Sequence, residues 1–211
     1  RTALLVGATC AVVAACTDRA EYYKTPIELL EPVALDRSLL FVEQGNHEVH
    51  ALSVSAGDVR VRRVEIGPQP IAALRRNGRD ELIVLSQGER GRIGHAPQPS
   101  TVALISGGSA ELVRSWELGS PFNALAQSGD GRFLLAYFTA EDEGVDRLLY
   151  NPNEVAIVDL SRGESSSNAV LRTVRSFGGV PEGVVFSPPM HIASGSARTI
   201  AVVLSGAYVT L

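Results

Sequence analysis

A short apolar run recurs along this chain at a constant interval of 53 residues. The runs occupy 49–54, 102–105, 155–160 and 208–211, and their first residues are each 53 positions apart. Turn residues keep the same interval, because Asn77 and Gly78 lie 53 positions before Asp130 and Gly131. A constant period of this length is typical of repeat architectures, and such turn pairs between apolar runs favour tight hairpins. The sequence therefore predicts a repeated unit of short antiparallel strands.

Each unit is predicted to contain four strands. The first unit has strands at 32–35, 39–42, 49–54 and 59–66. The second has them at 70–74, 82–86, 102–105 and 111–118, and the third at 122–126, 132–138, 154–160 and 169–176. The fourth is incomplete, with strands at 182–186, 199–204 and 207–211. Four-stranded units at even spacing are typical of β-propeller blades.

We therefore expect an all-β fold, a partial β-propeller over residues 32–211 with three antiparallel blades and most of a fourth. Propellers typically have about 4 to 8 blades, so this chain supplies too few strands to close a ring. The sequence starts at Arg1 rather than at a methionine, and it ends at Leu211 within a predicted strand. We expect further blades in a longer protein.

Charge and composition exclude some classes of partner. The chain has 19 basic and 23 acidic side chains and a net charge of −4. This balance argues against a nucleic-acid surface, which requires an excess of positive charge. Hydrophobic residues make up 45% of the chain, which is enough for a folded core and argues against wholesale disorder.

Residues 1–16 have the pattern of an export signal. Arg1 precedes an uncharged apolar segment at 3–15, which ends at Cys16. This segment is too short for a membrane span of ~20 residues and fits the core of a signal peptide. Residues 13–16, Val-Ala-Ala-Cys, resemble the lipobox of bacterial lipoproteins. The alternatives are an ordinary signal peptide and a buried helix with an incidental cysteine.

The lipobox resemblance implies that Cys16 is lipidated and holds the protein on a membrane. Residue 17 is threonine, whereas aspartate there would resemble the inner-membrane retention signal, so the resemblance favours the outer membrane. Cys10 lies in the segment that would be removed, which would leave the mature chain without a disulfide. Residues 17–31 are interpreted as a tether.

A second resemblance concerns the repeats themselves. Residues 178–188 read Gly-Gly-Val-Pro-Glu-Gly-Val-Val-Phe-Ser-Pro and resemble the opening of YVTN-type, YncE-like propeller repeats. Residues 128–131 resemble the turn of the same repeat, and 155–160 resemble its Asp-containing strand. The resemblance covers about residues 32–211 and implies a propeller. The family includes lactonase-like, quinoprotein-like and purely binding members, so it implies no particular chemistry.

Loop length predicts a binding face at one end of the blades. The connections at 87–101 and 139–153 are long and share an end with the links at 67–70, 119–122 and 178–181. The tight turns at 77–78, 107–108 and 130–131 share the opposite end, where an insertion at 187–198 is the exception. Loops on a rigid scaffold commonly carry binding residues. The candidate binding residues are Gln87, Arg90, Arg92, His95, Asp142, Asp146, Arg147 and Tyr150.

Metal and anion sites have weaker support. An acidic cluster on the second long loop could bind Ca²⁺ through carboxylate oxygens, but it matches no EF-hand and is better explained as a solvated loop. His47 and His50 are three positions apart, a spacing that places strand side chains on opposite faces. His95 and His191 are isolated, so no histidine metal site is predicted. The acidic cluster comprises Glu141, Asp142, Glu143 and Asp146.

Two further groups have both a structural and a functional interpretation. The arginines of the second blade's first turn could bind an anion, but a soluble turn is the better explanation. Trp116 lies in an outer strand and is expected to pack between blades. The arginines are Arg75, Arg76 and Arg79.

These observations favour a lipid-anchored binding or scaffold module of the bacterial cell envelope, without catalytic residues or a cofactor. Its ligand would be a protein or a small molecule, and Cys16 would hold it on the outer membrane, at the periplasmic or the cell-surface side. The alternative is a lactonase-like or quinoprotein-like enzyme with a site in the central channel. The innermost strands offer only Asn123 and Glu182 for such a site, so further blades would have to complete it.

Overall fold

The computed structural model describes residues 27–55, 57–89, 94, 96–139, 153–161, 170–175, 180–191, 197–206 and 208–210. The predictions for residues 1–26, including Cys16, lie outside the described residues. The same holds for these predicted loop residues: Arg90, Arg92, His95, Glu141, Asp142, Glu143, Asp146, Arg147 and Tyr150. Within the described part, no helix has the length and hydrophobicity that a membrane span requires.

The described residues form antiparallel sheets, which confirms the predicted all-β class. Sheet 1 contains β1 (Val33–Ala34), β2 (Ser38–Glu43), β3 (Glu48–Ser55) and β4 (Asp58–Glu65). Sheet 2 contains β5 (Pro70–Arg75), β6 (Glu81–Ser86), β7 (Ser100–Ser106) and β8 (Leu112–Leu118). Sheet 3 contains β9 (Ala124–Gln127), β10 (Phe133–Tyr137), β11 (Glu154–Asp159) and β12 (Val170–Arg175).

The fourth sheet has three strands in the described residues. It contains β13 (Gly183–Phe186), β16 (Ala201–Ser205) and β17 (Tyr208–Thr210). A separate hairpin of β14 (Met190–His191) and β15 (Ala197–Arg198) lies in the connection from β13 to β16. This hairpin occupies the predicted insertion at 187–198. Within each sheet, the strands are arranged in the order in which the chain forms them, and each is hydrogen-bonded to the one before it.

The two central strands of the second sheet, β6 and β7, are buried on both faces, which explains their continuous apolar sequence. Leu82 and Val84 of β6 pack toward sheet 1, whereas Ile83 and Leu85 pack toward sheet 3. All four side chains are fully buried. Because neighbouring residues of a strand point to opposite faces, one apolar run supplies two cores.

Three successive cores join the sheets in chain order. Leu40 and Val49 of sheet 1 pack in the same core as sheet 2 residues. Trp116 is 7% exposed and packs in the core that joins sheets 2 and 3, as expected from the sequence. Tyr137 of sheet 3 packs with Val184 of sheet 4. Each sheet therefore packs face to face on the next.

The outer faces of the first and last sheets carry exposed apolar side chains. On sheet 1 these are Leu39, Val54, Val59 and Val61, of which Val54 is 71% exposed. On sheet 4 they are Val185, Leu204 and Val209. The central strands of sheet 2, β6 and β7, instead bury both of their faces against the neighbouring sheets.

Hydrogen bonds between turns fasten the sheets together at the tight-turn end. Arg76 Nε donates to the Gly131 carbonyl at 2.6 Å, and its guanidinium also pairs with Glu81 at 2.7 Å. The Asn77 side chain donates to the Ser128 carbonyl at 3.0 Å. Arg75 pairs with Asp36 of sheet 1 at 2.5 Å. Arg75 and Arg76 are thus used to join neighbouring sheets.

Candidate binding face

The long-connection end is the edge at which the second connection of each sheet meets the links between sheets. An antiparallel meander brings these segments together because each strand reverses the direction of the one before it. In sheet 1 the second connection is a tight turn at 44–47, whereas in sheets 2 and 3 it runs from β6 to β7 and from β10 to β11. The bases of both long loops are among the described residues.

The first long loop is fixed at its base by hydrogen bonds to the link between sheets 1 and 2. The Gln87 and Gly88 amides donate to the carbonyls of Gln69 and Pro68, at 2.9 and 3.0 Å. Glu89 and Gln98 exchange two backbone hydrogen bonds at 3.0 and 2.9 Å, which closes the base of the loop as a short ladder. The two ends of the loop, where it leaves β6 and returns to β7, are therefore held in a fixed position relative to each other.

Gly88 shows why this base accepts few other residues. Its φ is +83°, a conformation that glycine adopts without steric cost. A Cβ atom at this position would lie 2.4 Å from the Gln98 carbonyl oxygen and 2.7 Å from that of Pro99. Both are backbone atoms, so a side chain could be accommodated only by moving the returning strand.

The second long loop is fixed in the same way at the link between sheets 2 and 3. Asn123 Oδ1 accepts from the Thr139 amide at 2.7 Å, and Asn123 Nδ2 donates to the Thr139 carbonyl at 3.3 Å. Where the chain returns, the Ser120 hydroxyl donates to Glu154 Oε2 at 2.5 Å. The sequence placed Asn123 in a possible channel site, and the structure uses its side chain to anchor a loop.

Three polar groups beside the first loop have no hydrogen-bond partner among the described protein atoms. They are Ser86 Oγ, Gln87 Nε2 and Thr101 Oγ1, and all three atoms are buried. Leaving a buried polar group unsatisfied costs about 1–3 kcal/mol, and such groups in native proteins commonly bind water or a ligand. Gln87, a predicted binding residue, therefore adds unsatisfied hydrogen-bonding capacity at this face.

Glu182 is the other polar residue that the sequence offered for a channel site. Glu182 Oε1 accepts a hydrogen bond from the Gly206 amide at 3.1 Å, and the Glu182 amide donates to the Leu204 carbonyl at 2.7 Å. Its carboxylate thus holds the turn between β16 and β17. In the described residues, neither Asn123 nor Glu182 is arranged with a second acid or a base for catalysis.

A histidine and two glutamates meet at this end of sheet 1, and sequence reasoning missed this group. One ligand atom from each of Glu43, Glu48 and His50 can be chosen so that all three lie within 4.8 Å of one another. His50 Nε2 is 2.7 Å from Glu43 Oε2 and 3.7 Å from Glu48 Oε2. His47 lies in the preceding turn and is not part of the group. In the sequence, the indication of this group was the pair of glutamates, Glu43 and Glu48, on either side of the turn.

Comparisons with known proteins support the fold class. No family model matches the chain, and no curated protein matches it. Its fold is similar to that of a candidate 6-phosphogluconolactonase from Bacteroides uniformis, with a TM-score of 0.52 and 11% sequence identity. The likeness covers 85% of this chain and 48% of that chain, so this chain spans about half the length of the structure it matches. At this identity the likeness concerns a propeller-like, all-β fold alone.

Proposed function

We propose that this chain is part of a β-propeller that binds a ligand through its long-connection end at the bacterial cell envelope. The observation that carries the proposal is the fixing of both long loops at their bases, by Gln69 and Pro68 in one case and by Asn123 and Ser120 in the other. A loop whose base is held in place loses less conformational entropy on binding. The unsatisfied polar groups at Gln87, Ser86 and Thr101 add hydrogen-bonding capacity beside it.

The propeller itself is supported by repetition and by packing. The 53-residue period, the face-to-face stacking of consecutive sheets and the likeness to a longer all-β structure all favour it. In a ring, a further sheet would cover each of the two exposed apolar faces. Covering the sheet 1 face would bury Val54, Val59 and Val61 at a gain of about 25 cal/mol per Å² of apolar area.

The membrane anchor is proposed from the sequence. The apolar segment at 3–15 followed by Cys16 resembles a lipoprotein signal. The tether predicted at 17–31 would be shorter than that, because Glu28 and Leu30 already form backbone hydrogen bonds with sheet 1. A single acyl chain binds a membrane reversibly, so a stable anchor requires more than one chain on the cysteine. Intact mass of the protein purified from native membranes tests this. A Cys16→Ser variant is expected to lack the added lipid mass and to leave the membrane fraction.

Site-specific photo-cross-linking in the native bacterium tests the binding proposal. A photoreactive residue at Gln98, exposed at the base of the first long loop, is expected to give a discrete adduct. A matched residue at Asp58, the exposed first residue of β4 at the opposite end of sheet 1, is the control. Equal labelling from both positions, or no adduct from Gln98, would contradict a binding face at the long-connection end.

A lactonase activity is the second candidate function, favoured by the fold likeness to the candidate 6-phosphogluconolactonase. It would need a site completed by residues other than Asn123 and Glu182, whose side chains already bond to the backbone. The test is hydrolysis of 6-phosphogluconolactone above the spontaneous rate by the longest available form of the protein. Activity that survives an Asn123→Ala, Glu182→Gln double variant would place the site on other residues.

A further inference from the structure

We propose that Glu43, Glu48 and His50 form a binding site for a divalent transition-metal ion of the Zn²⁺ type. The register of sheet 1 brings the three side chains together. Glu43 of β2 lies directly opposite Glu48 of β3. His50 is two residues beyond Glu48 and therefore points to the same face. The opposite face of the same hairpin carries Val42 and Val49, which are buried in the core. Packing of these two side chains therefore fixes the pairing of β2 with β3 that brings the three ligands together.

The separations of the donor atoms suit a common ion. Zn²⁺ binds imidazole nitrogen and carboxylate oxygen at about 2.0–2.2 Å, so two of its ligands lie at most about 4 Å apart. His50 Nε2 meets this limit with both partners, at 2.7 Å from Glu43 and 3.7 Å from Glu48. The side chains of Glu43, His50 and Glu48 are only 12%, 22% and 25% exposed, so the donors are partly withdrawn from water.

One ligand is also oriented by a neighbour outside the group. Asn46 Nδ2 donates to Glu43 Oε1 at 2.7 Å, while Glu43 Oε2 points to His50. Hydrogen bonds that orient a coordinating carboxylate in this way are a regular feature of metal sites. The turn that carries Asn46 thus holds the carboxylate with one oxygen directed at the imidazole.

The charges around the site favour a cation. Glu65 of β4 lies directly opposite Glu48, so Glu43, Glu48 and Glu65 form a row of carboxylates across three strands. Like charges directly opposite each other destabilise a sheet. Arg63 lies opposite His50, and it is exposed. A divalent ion between Glu43 and Glu48 would offset their repulsion without displacing any apolar side chain.

The donor set distinguishes among metals. Ca²⁺ prefers six to eight oxygen ligands, whereas one imidazole with carboxylates suits Zn²⁺, Ni²⁺ or Cu²⁺. Three protein ligands leave a fourth position of a tetrahedral ion for water or for a ligand atom. All three ligands and Asn46 belong to one hairpin, so zinc binding by the given chain can be measured apart from the proposed ring and the proposed anchor.

Zinc titration of the full chain in competition with a chromophoric chelator tests the proposal. All proteins carry Cys10→Ser and Cys16→Ser, so that no thiolate competes for the metal. We expect one tightly bound Zn²⁺ per chain, with affinity reduced at least about tenfold in His50→Gln and in Glu48→Gln, and a similar loss in Asn46→Ala. His47→Asn is the matched control, because this neighbouring histidine has a φ of +57° that asparagine tolerates.

Two further measurements separate a metal site from a structural role. Thermal unfolding without metal shows whether each variant is folded, and added Zn²⁺ should raise the Tm of the parent and of His47→Asn alone. Co²⁺ substitution should give visible absorption that His50→Gln lacks. The proposal is overturned if the parent binds no Zn²⁺, or if folded His50→Gln and Glu48→Gln bind it as tightly as the parent. Equal binding would place the metal elsewhere, such as on the acidic residues 141–146.

Discussion

Ser120 donates its hydroxyl to Glu154 at 2.5 Å, and the residues 53 positions earlier in the chain are Gly67 and Thr101. The two pairs occupy equivalent places at the bases of the two long loops. In sheet 3 the pair forms a hydrogen bond, whereas in sheet 2 the place of the serine side chain is taken by the Thr101 hydroxyl, 2.2 Å from where a Gly67 Cβ would lie. Thr101 Oγ1 consequently has no hydrogen-bond partner among the residues that the structure describes. Equivalent positions of the repeat are thus packed differently: a side-chain hydrogen bond forms at the loop base of sheet 3, whereas in sheet 2 the Thr101 side chain lies against Gly67.

Ser120→Ala is expected to destabilise the protein. The substitution removes a hydrogen bond to a carboxylate at a position that is 6% exposed, and such bonds contribute about 1.5–3 kcal/mol. Urea unfolding should show a loss of free energy in this range. Ser115→Ala, at an exposed position of β8, is the control and is expected to change stability by less than about 0.5 kcal/mol. Equal effects at both positions would contradict a role for the Ser120 hydroxyl.

Gly67→Ala is expected to destabilise the protein by overpacking, at a cost of about 1–3 kcal/mol. The added methyl group would lie 2.2 Å from Thr101 Oγ1 and 3.1 Å from Ser86 Cβ. Thr101→Ala removes the closer atom, and the double variant should therefore recover most of the lost stability. A double-mutant cycle by urea unfolding measures this coupling. Additive effects of the two substitutions would show that the contact between the added methyl group and Thr101 Oγ1 does not cause the loss of stability.

Asn123→Ala is expected to release the base of the second long loop. The Thr139 amide loses its acceptor, Asn123 Oδ1, and its hydrogen exchange should become faster than in the parent. The amide of Leu135 lies in β10, which pairs with β9, and it is remote from this side chain. It should keep its protection from exchange in the same sample. Under the binding proposal, Asn123→Ala should also weaken cross-linking from the second loop more than from Gln98. Unchanged exchange at Thr139 would show that another group holds the loop.

The strands could be predicted from the sequence because apolar runs and turn pairs are local signals. The predicted run at 82–86 and the observed β6, Glu81–Ser86, differ by one residue, and 111–118 differs from β8 by one residue as well. The first strand is shorter than predicted, Val33–Ala34 rather than 32–35. Pro32 has no backbone amide to donate to a ladder, and the Leu35 amide is used in a turn with Ser38.

The site residues could be predicted less well because they depend on register and on side-chain partners. Glu43 and Glu48 are five positions apart, and only the pairing of β2 with β3 places them opposite each other. Asn123 looked available in the sequence, but whether its amide faces a channel or Thr139 depends on the path of the chain 16 residues later. The tight turn at Arg76 looked like a soluble loop, whereas its guanidinium bonds to Gly131 of the next sheet.

Asp159 is expected to make the free energy of unfolding decrease at acidic pH. Burial alone would raise the pKa of this carboxyl, but hydrogen bonds from Ser161 and the Arg132 guanidinium outweigh it and hold the pKa below its ordinary value. The unfolded chain therefore binds a proton more readily than the folded one. The stabilisation is fully present above the unfolded pKa of about 3.9, and it is lost as the pH falls through the lower folded pKa.

Chemical unfolding of the parent and of Asp159→Asn as a function of pH measures this contribution. At pH 7 the variant should be less stable by about 1–3 kcal/mol, because a charged acceptor that is 1% exposed is replaced by a neutral amide. Below about pH 4 the difference should shrink as the parent carboxyl takes up its proton. Asp58→Asn, at the exposed first residue of β4, is the control and is expected to change stability at pH 7 by less than about 0.5 kcal/mol. A difference between parent and Asp159→Asn that stays constant with pH would mean that packing, and not the ionised carboxylate, accounts for the loss.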